Sequence, residues 1–285
     1  LFTPTANGTV VRDFVTFGLQ VPDRTIGRVL NGTGGWQLTQ PTHGQANVVA
    51  ALGSVAGLKI NEWMATPASG DDWFELFNPA ALPVLLGGLY LTDILSNPTN
   101  TRVAPLSFVG GGGFAKFQAD GNPGNGADHV NFKLGAAGDS IGLYAANGVS
   151  SIDSVTFGPQ IIGVSEGRFP DGSATIVSFT ATPSPERGNH LPIANIVINE
   201  VLTHTDPPLQ DSVELFNPTA SSVNIGGWYL SDSLEGLKKY RISDNTIVPA
   251  GGFRVFYESD FNADTNLPTS FSFSSSQGDD AYLSV

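Results

Sequence analysis

A strand–turn–strand phrase occurs twice in this chain, and the phase of that repetition constrains the fold more than any other feature. "INEWMATPASGDDWFELFNP" runs from Ile60 to Pro79, and "INEVLTHTDPPLQDSVELFNP" runs from Ile198 to Pro218. "ELFNP" returns 139 residues later, from Glu75 to Glu214, and "GGLYLTD" at Gly87 returns as "GGWYLSD" at Gly226 with the same spacing. "GGF" ends at Phe114 and again at Phe253. A repeat of this length means two copies of one structural unit. The remaining motifs sit on the other side: "DFVTFG" at Asp13 precedes "DSVTFG" at Asp153, and "GRVLNG" at Gly27 precedes "GRFPDG" at Gly167, each by 140 residues. Residues 1–47 therefore read as the closing half of a module, 58–189 as a complete module, and 196–285 as the opening half of another.

Placed after "GDDAYLSV", the opening "LFTPTANGTVVRDFVTFG" reads like "GDSIGLYAANGVSSIDSVTFG" with about five extra residues in one hairpin. The break falls inside a strand, where a free domain would leave an edge and a core uncovered. A chain that starts at Leu1 without Met reads as an internal or processed fragment. The expectation is that residues 1–47 of a neighbouring copy or unit complete 196–285. Either the units continue covalently or strands are exchanged between subunits, with Val285 of one copy beside Leu1 of another. Such a non-closing contact propagates as a filament. A single chain that closes its own split module is the competing arrangement.

Within the modules the apolar period is two, as half-buried strands require. "SVELFNP" alternates Val213 and Leu215 with Glu214 and Phe216. "DSVTFG" places Val155 and Phe157 together. In "FRVFYES", Phe253, Val255 and Tyr257 share one face, and Arg254, Phe256 and Glu258 the other. With 34 Gly and 19 Pro against only 14% charged residues, the composition favours turns and short strands over long helices. Ala6–Asn7–Gly8 and Ala146–Asn147–Gly148 are tight-hairpin signals. The predicted class is all-β, with about seven strands per module packed as a sandwich. Pro41–Leu58 and Pro183–Asn195 read as short linkers, although the Val/Ala-rich part of the first suits a strand.

The ordered motifs "INEW/INEV", "FELFNP/VELFNP", "GGLYLTD/GGWYLSD", "GGF", "D-x-V-T-F-G", "GR-x-x-x-G" and a closing "T-x-P-T/S-P…N" resemble the lamin tail domain as it occurs in bacterial extracellular proteins. The resemblance covers nearly the whole chain apart from the linkers. It implies immunoglobulin-like sandwiches arranged in tandem in large secreted or surface proteins, with no catalytic residues to carry over. A lamin tail domain is normally contiguous, whereas one module here is split.

The search for chemistry supports a non-catalytic reading. The net charge of −13 disfavours binding to nucleic acid or anionic lipid, and no apolar run reaches the ~20 residues of a membrane-spanning helix. The absence of Cys excludes disulfides and Cys-based metal sites. His43, His129, His190 and His204 show no ligand or triad spacing. "GGGG" at 110–113 is followed by no Lys-Ser/Thr and reads as a turn. Glu62 with Glu200, and Glu75 with Glu214, hold matched positions; a structural role is predicted, in which Glu75 and Glu214 take backbone or Arg hydrogen bonds, with Arg28 and Arg168 as candidate partners. Asp260, Asn262, Asp264 and Asn266 alternate as in calcium loops, as do Asp120, Asn122 and Asp128 in part. However, Phe271 stands where the twelfth-position Glu belongs, and turn chemistry accounts for the same residues. Calcium is carried only as an alternative. Trp36, Trp63, Trp73 and Trp228 are assigned to packing rather than to a sugar platform. No catalytic, cofactor or metal residue is assigned. The expected function is a structural module of an extracellular or cell-surface fibre, stalk or array whose partner is itself. An adhesin or carbohydrate-binding appendage is the alternative.

Overall fold

A computed structural model describes residues 2–5 and 8–285, with side chains for residues 11–234 and 236–285. The Ala6–Asn7–Gly8 turn and the junction expected at Leu1 therefore fall, wholly or in part, outside the described residues. The chain divides into two compact units, Leu1–Leu191 and Pro192–Val285.

The first unit opens with two hairpins, β1 (Phe2–Thr5) with β2 (Gly8–Val11) and β3 (Thr25–Val29) with β4 (Gly35–Thr39). There follow β5 (Lys59–Met64), β6 (Asp72–Phe77), β7 (Val84–Leu85), β8 (Tyr90–Thr92), β9 (Thr101–Arg102), β10 (Phe108–Val109) and β11 (Phe114–Ala119). The unit ends with β12 (Asp139–Tyr144), β13 (Ser151–Phe157), β14 (Ser165–Arg168) and β15 (Ile176–Phe179). One sheet has the order β11-β6-β5-β14-β15 and the other β13-β12-β8-β9. Their apolar faces form one core that includes Ile60, Trp63, Phe74, Leu91, Phe117 and Ile141. The alternation predicted from sequence is explicit in β11, where Ala115, Phe117 and Ala119 are buried and their neighbours are partly exposed.

Residues 11–50 pack against this module. Gly18 N–H donates to the Pro105 carbonyl and Phe108 N–H to that of Leu19. Leu38, Ala50 and Phe108 form a small core with Val21, Ile26 and Leu106 around it. The Val/Ala-rich part of Pro41–Leu58 is tied to the end of β4, because Thr39 bridges Val49 and Ala50 N–H donates to the Leu38 carbonyl.

The second unit holds β16 (Val197–Leu202), β17 (Ser212–Phe216), β18 (Val223–Asn224), β19 (Tyr229–Ser231), β20 (Tyr240–Arg241), β21 (Ile247–Val248), β22 (Phe253–Tyr257), a short helix α1 (Glu258–Phe261) and β23 (Tyr282–Ser284). Its sheets run β16-β17-β22 and β20-β19-β23, with β18-β21 apart. Register repeats that of the first unit: Leu230 faces Leu283 as Leu91 faces Leu143. In β22 the core face belongs to Phe256, whereas Phe253 and Tyr257 remain about half exposed. Phe261 stacks on Phe271 and Phe273 meets both edge-on, with ring centroids 4.7–5.7 Å apart, and the three complete the core.

The repeated "FNP" has a packing reason. Asn78 is buried, and its Nδ2 donates to the carbonyls of Leu82 and Gly110. Asn217 is buried too and donates to those of Ser221, Val248 and Pro249. Each ties the turn after its strand to the chain that leads into the neighbouring strand of the sheet, β11 or β22, and gives buried carbonyls a donor.

Candidate functional site

The matched glutamates lie beside a shared backbone irregularity. The register of β5 on β6 slips between Ile60 and Glu62, and that of β16 on β17 between Ile198 and Glu200. The extra residue of such a bulge re-aims the side chains around it. In the first unit Asn61 and Glu62 are consequently both fully buried, as is Glu75 on β6.

Three chain segments converge on these carboxylates. Glu62 Oε1 accepts from Ser165 Oγ at 2.5 Å and from Ser184 N at 3.1 Å, and its Oε2 from Ser184 Oγ at 3.1 Å. Glu75 Oε1 accepts from Asn61 Nδ2 at 3.1 Å and its Oε2 from Glu186 N at 2.7 Å. Asp171 Oδ1 accepts from Asn61 Nδ2 and from Asn189 N, both at 2.9 Å. Arg168 closes the assembly: its Nε donates to the Ile60 carbonyl at 2.8 Å, its Nη2 pairs with Asp153 at 3.0 Å, and its own carbonyl accepts from Asn189 Nδ2 at 2.8 Å. Burial pushes the Glu75 carboxyl up to about 9, against the downward pull of Asn61 and Glu186 N–H. Burial also raises Glu62, opposed by the hydroxyl of Ser165 and then by Ser184.

The predicted Glu–Arg pairing is therefore corrected. Asp153, on the facing β13, takes Arg168, and in the closing segment Asp13 takes Arg28 at 2.8 Å. Both Glu75 oxygens are already occupied by nearer donors. Ser184, Glu186 and Asn189 lie in a stretch that reads as a spacer from sequence, and reasoning from the sequence missed them. Their only signal was the closing motif "T-x-P-T/S-P…N".

Parts of the same hydrogen-bond pattern recur at two other places in the chain. In the closing segment, Asn47 Nδ2 donates to the Arg28 carbonyl at 3.0 Å and Asn47 N to Asn31 Oδ1 at 2.9 Å. These reproduce the bonds Asn189 makes to Arg168 and Asp171. Thr42 Oγ1 reaches Asn47 Oδ1 at 3.5 Å, as Ser184 Oγ reaches Asn189 Oδ1 at 3.0 Å. In the second unit, Asn199 Nδ2 donates to Glu214 Oε1 at 2.7 Å, as Asn61 does to Glu75. Glu200 is exposed and β16 is mostly exposed along its length, whereas β5 is buried from Ile60 to Met64.

The other candidate residues are dispersed. His129 Nδ1 lies 2.8 Å from Asp120 and His204 Nδ1 lies 2.9 Å from Ser275 Oγ; His43 is exposed. Asp260 accepts from Tyr257 N, Asn262 donates to Glu258, and Asp264 accepts from Asn266. Asp120 accepts from Asn122 N, Asn125 and His129, which holds its carboxyl down at about 2. These are turn contacts, and among the described residues no group of three or more His, Asp or Glu side chains is placed to hold a metal ion. Trp63 and Trp73 are buried, and Trp36 lies under the Arg28 guanidinium at 4.7 Å. Every Glu62 and Glu75 oxygen already accepts a protein donor, so the paired carboxylates form a structural joint.

Antiparallel sheets around one core, with no helix longer than four residues among the described residues, define the first unit as an immunoglobulin-like β-sandwich and the second as the same design with fewer strands. Residues 191–284 match the model of the Lamin Tail Domain family, which is immunoglobulin-like and non-enzymatic. Nothing matches the chain among curated proteins or among solved structures.

Proposed function

We propose that the chain is a non-catalytic structural module of a bacterial extracellular fibre, stalk or surface array, built from immunoglobulin-like units that continue one into the next, with further copies or repeats of itself as partner. The observation that carries this reading is the division of one buried joint into two prepared halves. Residues 13–47 and 199–214 each hold their share of the hydrogen bonds that Arg168, Asn189 and Glu75 complete in the first unit. A domain that works alone has no use for a half-built joint facing water. Burial of apolar area across such joints, together with satisfied polar groups inside them, gives mechanical continuity.

Negative-stain electron microscopy of the purified full chain tests this. Linear assemblies with an axial repeat of two modules are the expected outcome. Dispersed particles at every concentration, salt and pH would remove the proposal.

A further inference from the structure

The first unit displays what covers the edge that β16 leaves open. There β14 pairs with β5, with Gly167 opposite Glu62 and Glu166 opposite Trp63. The fit depends on glycine, since a Cβ on Gly167 would lie 2.5 Å from the Asn61 carbonyl oxygen and 3.0 Å from the Glu62 Cα. In the second unit β16 pairs with β17 alone among the described strands, and in the closing segment β3 pairs with β4 alone. β3 carries Gly27 and Arg28 in the places of Gly167 and Arg168.

A second vacancy matches the first. β12 lies between β8 and β13, but among the described strands its counterpart β23 has only β19 beside it. Residues 13–17, the counterpart of β13, form no strand. Phe157 stacks on Trp63 at a centroid distance of 5.6 Å. Their counterparts Phe17 and Val201 are 52% and 38% exposed. Apolar groups that one unit buries together thus stand exposed and apart on the two halves.

We propose that residues 11–50 of a second copy of this chain dock on the open β16 edge, with β3 antiparallel to β16 so that Gly27 faces Glu200 and Ile26 faces Val201. This rests on the reading of the chain as an assembling structural module and names its seam. Thr25 and Thr42 then supply to Glu200 the hydroxyls that Ser165 and Ser184 supply to Glu62. Arg28 reaches the Ile198 carbonyl as Arg168 reaches that of Ile60. Gly44 N–H approaches Glu214 as Glu186 N–H approaches Glu75. Little is rebuilt, because Asn47, Asn31 and Arg28 on one side and Asn199 and Glu214 on the other already hold their docked arrangement; only the Thr25 hydroxyl, now on Thr39 and Gln40, and residues 13–17 have to change. The ordering cost of association is correspondingly small. Each copy gives a hairpin and receives one on a different surface, so the contact is heterologous and extends into a line.

The full chain has no cysteine, so introduced thiols report one contact. Facing antiparallel residues lie within disulfide reach. A mixture of an Ile26→Cys chain and a Val201→Cys chain should give a disulfide-linked dimer under mild oxidation, and the doubly substituted chain should give a ladder of linked multimers. Glu200→Lys, at an exposed position, should weaken association by roughly 30-fold or more in sedimentation while leaving the melting curve of the unassociated chain in place. If the double variant links only within one chain and the mixture not at all, the second-copy occupant is overturned. Wild-type chains that assemble while neither cysteine combination links would overturn this seam and leave the structural reading standing. Chains that neither assemble nor link overturn both.

Discussion

Glu62 and Glu200 occupy the same place in the same motif on the same bulged strand, yet one is sealed and the other faces water. The difference lies in what crosses above them. β14 and the loop holding Ser184 arrive over Glu62 from more than 100 residues away, and each carboxylate oxygen receives a donor. Over β16 the equivalent chain lies elsewhere in sequence, in residues 25–47. Burial of the carboxylate therefore follows from the segments that cross over it, and without them the same residue stays in water. The comparison also explains why both halves persist. The local bonds Asn199–Glu214 and Asn47–Arg28 need no third segment to form.

The largest expected contrast is between the two arginines. Arg168 is nearly buried beside Asp153 and donates to two backbone carbonyls. Arg168→Ala should destabilise the first unit by about 3 kcal/mol, because the carbonyls of Ile60 and Ser173 lose their charged donor and Asp153 keeps only Lys59, at 3.5 Å, as an ion-pair partner. Arg28→Ala removes an ion pair that is partly open to solvent and should cost the unassociated chain at most about 1 kcal/mol. Chemical denaturation of both variants measures the difference, and equal losses would break the comparison.

Next in size is the pH response of the first unit. Glu75 has its affinity for a proton raised from the ordinary 4.5 to about 9, so the folded module holds a proton that the unfolded chain releases. The folded state then binds more protons between those values, and its stability falls as pH rises from about 4.5 to about 9. The Glu62 shift has the same sign. Glu75→Gln should flatten this part of the profile, read from melting temperatures across the interval. An unchanged slope would place the titration elsewhere.

Smaller effects are expected where the two units are alike. Asn78→Ala and Asn217→Ala each strip donors from buried turn carbonyls and should cost about 1–3 kcal/mol apiece. Similar losses in the two units would sharpen the contrast at Glu62 and Glu200, since they would show that the repeat is equivalent wherever it is locally closed. Smallest of all is Glu200→Ala, expected to change the stability of the unassociated chain by less than about 0.5 kcal/mol because the side chain is exposed.

Much of this architecture was legible in the residues. Alternation set Val213 and Leu215 on one face apart from Glu214 and Phe216, and that first pair is buried. The same reading left the two faces of "FRVFYES" undecided, because each carries aromatics. Only packing against Tyr240 and the rest of the core selected Phe256 over Phe253 and Tyr257. Of the two kinds of partner expected for Glu75, a backbone N–H is present and the Arg is not, for a related reason. An Arg near two Glu in a motif list suggests a pair, but Asp153 on β13 lies closer to Arg168 in space, and the donors that fill Glu75 come from Asn61 and a backbone N–H.

The sequence by itself determined the repeat, its phase, the all-β class and the likeness to the lamin tail domain, because period-two alternation, turn residues and a motif string are local properties written in order. The tertiary structure decided which glutamates are buried, which arginine is enclosed and that Ser184, Glu186 and Asn189 belong to a joint. Those outcomes depend on desolvation, and desolvation is set by segments that meet across the fold from distant parts of the chain.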